Sequence, residues 1–327
     1  MRAELTSLLG WLVVAAFCSS FVLTGAVRRY ALSRRIVDEP NDRSSHSVAT
    51  PRGGGLSFVA STLVAMPILA LAGLLDWQAV SALAGAGALV ASIGFVDDHR
   101  HVPARWRLLV HFAAAAWALA SLGSLAPVAI FGLQLASGPV GFAFAALYLV
   151  WLLNLFNFMD GIDGIASIEA ICVCLGGAVL ALQAGQPDLV AAPLVVAAAV
   201  AGFLVWNFPP ARIFMGDVGS GFLGIVLGVM SLHAAAASAD LFWSWAILLG
   251  VFVVDATLTL MRRLLRGEKV HEAHRSHAYQ HASRRYGHRA VTLATAGITL
   301  AGLFPIALAV LNGWLPGPLG IFIAYSP

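Results

Sequence analysis

"PVGFAFAALYLVWLLNLFNFMDGIDG", residues 139–164, carries no charge until Asp160, and a second aspartate, Asp163, follows three residues later. About twenty apolar residues in a helix span the roughly 30 Å hydrocarbon core of a bilayer, with every internal backbone polar group satisfied. The stretch therefore reads as a transmembrane helix over 139–157 with a polar end. Asn154, Asn157 and Asp160 are three apart, as are Asp160 and Asp163, so a helical turn would gather them on one face. Gly161 and Gly164 then loosen the helix. A solvated helix end accounts for one such residue but not for four. Amides beside carboxylates suit a divalent cation and a polar substrate better than a lipid surface.

The rest of the chain repeats this pattern. Hydrophobic residues make up 60% of the 327 and charged residues only 11%, against ~25% in soluble domains. Mean hydropathy is +0.86. This composition excludes a soluble enzyme and predicts an all-α polytopic membrane protein of about ten transmembrane helices. The expected spans are 7–27, 54–75, 79–96, 106–125, 139–157, 166–184, 188–206, 218–236, 241–261 and 291–311. The tail "LPGPLGIFIAYSP" is too short and proline-rich for a full eleventh, and reads as a partial helix or a chain end packed on the bundle. The first run is too long for a signal-peptide core and is followed by Arg28 and Arg29, so it reads as an uncleaved helix. Cys18, Cys172 and Cys174 lie in apolar runs and read as small hydrophobes. One membrane domain, 1–327, is expected, with no internal repeat.

Threading ten spans collects the basic residues on one side. Residues 28–53 carry six, 97–107 three, 207–217 one and 262–290 eight, which leaves only Arg2 opposite. The positive-inside rule makes these loops cytoplasmic and puts both termini outside. The net charge of +3 thus follows membrane sidedness and implies no nucleic-acid partner.

Five polar clusters fall on that face, in the loops 28–53, 97–105, 157–165, 207–217 and 262–290. "VDEPNDRSSHSVATPRGGG" (37–55) reads either as a juxtamembrane loop touching anionic headgroups or as a glycine-rich phosphate site at a helix start. "GFVDDHRH" (94–101) places Asp97 and Asp98 at a helix end. Adjacent carboxylates cannot point the same way on a helix, so one is expected to face the site and the other a supporting partner. The quoted stretch is the third cluster. In "WNFPPARIFMGDVGSGFLG" (206–224), Asp217 precedes a helix and is either an N-cap or a magnesium ligand. "RRLLRGEKVHEAHRSHAYQHASRRYGHR" (262–289) holds half of the ten histidines. It lacks a recognisable zinc spacing and suits pyrophosphate or a membrane surface better. Asp255 and Glu169 stand within or beside apolar spans. Asp255 reads either as a functional carboxylate or as the partner of an arginine such as Arg262 or Arg263, and Glu169 leaves the same two readings open.

In this order and on one face, "DEPNDRSSH" with "TPRGGG", "GFVDD", "NLFNFMDGIDG", "FMGDVGS" and "HRSHAYQ" resemble the polyprenyl-phosphate N-acetylhexosamine-1-phosphate transferase superfamily, glycosyltransferase family 4. The likeness runs from residue 37 to 280. "PNDRSSH" and "HRSHAYQ" resemble the branch that initiates O-antigen from UDP-GlcNAc, UDP-FucNAc or UDP-QuiNAc more than the phospho-N-acetylmuramoyl-pentapeptide transferases. The resemblance implies a bacterial cytoplasmic (inner) membrane enzyme with a cytoplasmic site. It would join undecaprenyl phosphate to the β-phosphate of a UDP-N-acetylhexosamine, release UMP and use Mg2+, with Mn2+ as a substitute. A homodimer is compatible with it.

By the same resemblance, Asp217 is the magnesium ligand, with Asp98 as a second candidate, and Asp97 or Asp98 orients or deprotonates the lipid phosphate. Asn154, Asn157, Asp160 and Asp163 line the nucleotide and metal pocket. His274, Arg275 and His277 hold the pyrophosphate, and Arg43 and His46 of the first motif also bind substrate. One departure is His101, which stands where some relatives carry a third acid. Direct attack and an aspartyl-phosphate intermediate both remain open. A transporter with intramembrane carboxylates is the rival class, but it should show repeated halves and charges at mid-bilayer.

Overall fold

The computed structural model describes residues 2–40, 48–100, 102–123, 128–130, 133–135, 138–268 and 275–326. Arg43, His46, His101 and His274 lie outside them. Among the described residues, seven helices are long and apolar enough to cross a membrane: Thr6–Arg34, Trp77–His99, Pro139–Met159, Ile165–Gln183, Pro187–Asn207, Asp217–Ala237 and Ala278–Leu311. Ala239–Leu248 and Gly250–Leu265 make an eighth span if counted together, although they meet at 67°. Among the described residues, strands are confined to two short antiparallel pairs, Val37–Asp38 with Thr50–Pro51 and Val128–Ile130 with Leu133–Leu135. The chain is an all-α polytopic membrane protein.

Two expected spans are helical but weaker candidates. Residues 54–75 form Leu56–Leu71, 16 residues long, or about 24 Å at 1.5 Å per residue, which falls short of the hydrocarbon thickness. Residues 106–125 form Ala104–Leu122, whose first two turns carry Arg105, Arg107 and His111. The expected span 241–261 is the broken one, bending at Leu249. The tail forms a nine-residue helix, Gly317–Tyr325, tied down by the Tyr325 hydroxyl donating to the Ala246 carbonyl at 2.7 Å.

Asp217–Ala237 is the central helix and is almost wholly buried. Its Gly224 and Gly228 run against Leu149, Leu152 and Leu153 of Pro139–Met159, where small residues let helices approach. Outer helices turn large apolar side chains outward, among them Trp11, Val22, Leu71 and Leu147, as a lipid solvent allows. Buried hydroxyls cross-link helices where hydrocarbon offers no other partner. Thr24 meets Ser57 at 2.7 Å, and Tyr148 meets Ser231 at 2.8 Å. Glu169, fully buried, accepts a hydrogen bond from Thr299 at 3.0 Å.

Candidate active site

The polar clusters converge at one end of the bundle, because residues far apart in sequence bond to one another there. Asp98 is the hub. One of its oxygens accepts the backbone N–H of Asp217 at 3.0 Å and the other that of Val218 at 3.2 Å. It therefore caps the central helix from a different helix, the role the sequence left open for Asp217 itself. The Arg52 guanidinium pairs with the same carboxylate, whose side chain is only 1% exposed. Asp97 points another way. It accepts the Val102 N–H at 2.7 Å and Arg107 Nη1 at 2.6 Å. That same nitrogen lies 3.3 Å from Asp217 Oδ2.

With Asp98 doing the capping, Asp217 is free to face the site, and its side chain keeps 26% exposure. Gly216 allows this geometry. Its φ of +76° favours glycine, and a Cβ there would strike the Asp98 carboxylate. Asn157 approaches from Pro139–Met159, its Oδ1 accepting from Ser220 Oγ at 2.8 Å. Asn154 Nδ2 donates to the Val150 carbonyl. Both asparagines, with Arg107, His111 and Asp217, line a small chamber of about 20 Å³. Asp160 follows the helix end. Burial, and then repulsion from Asp217, Asp98 and Asp163, push its carboxyl well above the usual carboxylate range.

Asp163 is occupied by scaffold contacts. Its Oδ2 accepts the Ala211 N–H at 2.9 Å and its Oδ1 lies 3.2 Å from His288 Nδ1. Thr292 donates to its carbonyl at 2.8 Å. His277 is buried, with Nδ1 3.3 Å from Asp255 Oδ1. Asp255 also accepts the N–H groups of Ala278 and Tyr279, both at 2.9 Å. Its partner is thus the start of the last long helix and not Arg262 or Arg263; Arg263 pairs with Glu268 at 2.9 Å. Tyr279 carries that helix to the site by donating to the Phe158 carbonyl at 3.0 Å. Arg275 is exposed and its carbonyl accepts from Arg284.

The glycine run has a packing role. The N–H groups of Gly54 and Gly55 donate to the carbonyls of Phe214 and Met215 at 2.9 and 2.8 Å, so a phosphate would have to compete for them. A Cβ on Gly55 would collide with the Gly219 backbone. Gly55→Ala should lower stability by about 1–3 kcal/mol, read by thermal unfolding in detergent. Gly10→Ala, which meets nothing within 4 Å, should melt like the parent. Equal melting of the two variants would contradict this packing.

Arg52, Arg107, Ser220 and Asn207 were not singled out from sequence. Asn207 joins two motif loops, accepting the Gly164 N–H at 3.1 Å and donating to the Ile213 carbonyl at 3.0 Å. Arg107 did carry a signal. It precedes His111, Ala114, Ala115 and Ala118, the buried stripe of its helix, at helical spacing. Beside the hub, a cavity of about 400 Å³ runs from Arg52 and Asp98 to apolar walls that include Val27, Leu56 and Phe95.

Among the described residues, no group of three or more His, Cys, Asp or Glu could hold a metal ion. Magnesium does not require one, since it commonly takes one or two carboxylates and completes its shell with water and substrate phosphates. A partly exposed Asp217 among oxygen donors, beside an Asp160 crowded by other carboxylates, fits that cation.

A family profile described as glycosyl transferase family 4 matches residues 80–235. A probable undecaprenyl-phosphate N-acetylglucosaminyl 1-phosphate transferase of Bacillus subtilis is 30% identical over 318 residues, covering 93% of this chain and 87% of the relative. A decaprenyl-phosphate N-acetylglucosaminephosphotransferase of Mycolicibacterium smegmatis is 31% identical over 309 residues, covering 81% and 74%. A phospho-N-acetylmuramoyl-pentapeptide-transferase of Streptococcus pyogenes is 27% identical over 267 residues, covering 76% and 78%.

Proposed function

This chain belongs to glycosyl transferase family 4, and from that premise we propose that it transfers N-acetylhexosamine 1-phosphate from a UDP-sugar to undecaprenyl phosphate. The observation that carries the reading is the convergence of Asp97, Asp98, Asp160 and Asp217 with Arg52 and Arg107 at one end of an apolar bundle. An acceptor that is both greasy and anionic needs apolar walls next to cations, and the cavity ending at Arg52 supplies both. The basic loops support a cytoplasmic site.

In the proposed reaction a lipid-phosphate oxygen attacks the β-phosphorus of the UDP-sugar. The bond between that phosphorus and the bridging oxygen of the α-phosphate breaks, and UMP leaves. A phosphate monoester has its second pKa near ~6, so the nucleophile is largely dianionic without a strong base. The task left to the protein is to bring anions together and hold them aligned. Asp217 would hold the magnesium ion, with Asp160 and Asn157 beside it, and Asp98 would act by fixing the helix start that carries Asp217. When bound, magnesium offsets the negative charge gathering on the phosphates. Arg52 and Arg107 supply the protein's own positive charge. Asp97 and Asp98 are both engaged by arginines and backbone N–H groups, which favours direct attack over an aspartyl-phosphate.

The N-acetylglucosamine relatives support UDP-GlcNAc as the donor. The motifs "PNDRSSH" and "HRSHAYQ" favour initiation of O-antigen or another envelope polysaccharide, with UDP-FucNAc and UDP-QuiNAc as the other candidate donors. The test is UMP release by purified protein with undecaprenyl phosphate, magnesium and each donor in turn, UDP-N-acetylmuramoyl-pentapeptide included. UDP-GlcNAc should be turned over fastest. Release with the pentapeptide donor alone would move the chain to the peptidoglycan branch, and no release with any donor would sink the proposal.

A further inference from the structure

A single guanidinium nitrogen, Arg107 Nη1, serves two carboxylates, Asp97 Oδ2 at 2.6 Å and Asp217 Oδ2 at 3.3 Å. The three residues come from three different helices, Ala104–Leu122, Trp77–His99 and Asp217–Ala237. A positive charge set between carboxylates of separate elements already faces Asp217, the carboxylate that a bound cation would use. We infer that Arg107 holds the cation's place at Asp217 while the site is free of substrate, and gives it up when a divalent cation binds there.

The inference rests on the proposed role of Asp217, and two observations support it. The two contacts of Arg107 are unequal. Its bond to Asp97 is short, and Asp97 is itself fixed by the Val102 N–H at 2.7 Å, whereas the contact to Asp217 is long. The guanidinium can therefore leave Asp217 while still anchored at Asp97. Finally, the Arg107 side chain is 31% exposed, so part of it already faces solvent. Magnesium binds carboxylate oxygen at about 2.0–2.1 Å, and two cations so close to one oxygen would repel strongly. Once released, Arg107 turns donors toward the anionic substrates.

The test is Mn2+ affinity of the full-length protein in detergent, without nucleotide or lipid, read as free Mn2+ by electron paramagnetic resonance. Arg107→Gln removes the competitor and should bind Mn2+ at least about fivefold more tightly than the parent. Arg107→Lys keeps a charge at the position and should stay near the parent. Arg52→Gln removes a neighbouring charge that pairs with Asp98, and should change affinity less than about twofold. Asp217→Asn should lose the site. Unchanged or weaker binding in Arg107→Gln, or equal tightening in Arg52→Gln, would overturn the inference while leaving Asp217 in its metal role. Mn2+ binding to Asp217→Asn as tight as to the parent would instead remove Asp217 from that role.

Discussion

Asp217→Asn is expected to abolish UMP release, by on the order of 10³-fold or more, while leaving the protein folded. The amide keeps the size of the side chain and loses the charge that would hold magnesium. Stability should survive because the cap of the central helix is Asp98, whose oxygens accept the N–H groups of Asp217 and Val218. Those bonds use the backbone of residue 217 and do not depend on its side chain. Turnover and thermal unfolding on the same preparation check both halves. Full activity would exclude Asp217 from the chemistry, and a large loss of stability would mean that its side chain has a structural duty.

Asp98→Asn should give the opposite balance, with instability accompanying the loss of activity. The buried carboxylate of Asp98 receives two backbone N–H groups and the Arg52 guanidinium. An amide can satisfy one N–H but turns its own donor toward another, and Arg52 loses its counter-ion. Breaking a buried pair costs about 3–5 kcal/mol. Arg52 is 32% exposed and regains part of that from solvent, so a loss of about 2–4 kcal/mol is expected. The measure is the unfolding midpoint in detergent beside Asp217→Asn, and equal midpoints for the two variants would contradict the hub role of Asp98.

These two aspartates also show what was legible in the sequence. Their helices were, since uninterrupted apolar runs leave few alternatives in a bilayer, and the stretch 139–164 gave its helix end to within a few residues. The division of labour was not. Whether Asp98 caps a helix or binds substrate depends on Asp217 and Arg52, which a linear reading cannot bring beside it. The "GGG" of 53–55 left a headgroup-facing loop and a phosphate site both open for the same reason, because its partners, Phe214 and Met215, lie some 160 residues on. Asp163, grouped with Asn157 and Asp160 by spacing, turns instead to Ala211 and His288 because the helix ends at Met159. The bend at Leu249 has no apolar interruption to announce it, only Gly250 just after it.

The central claim is that a sugar phosphate moves, not a bare sugar. It is tested most directly with UDP-GlcNAc labelled with ³²P in the β-phosphate, incubated with the protein, magnesium and undecaprenyl phosphate, then partitioned between organic and aqueous phases. The account predicts label in the lipid phase in equal amount to unlabelled UMP released, and none with Asp217→Asn. Label remaining in water as UDP while the sugar enters the lipid would contradict it.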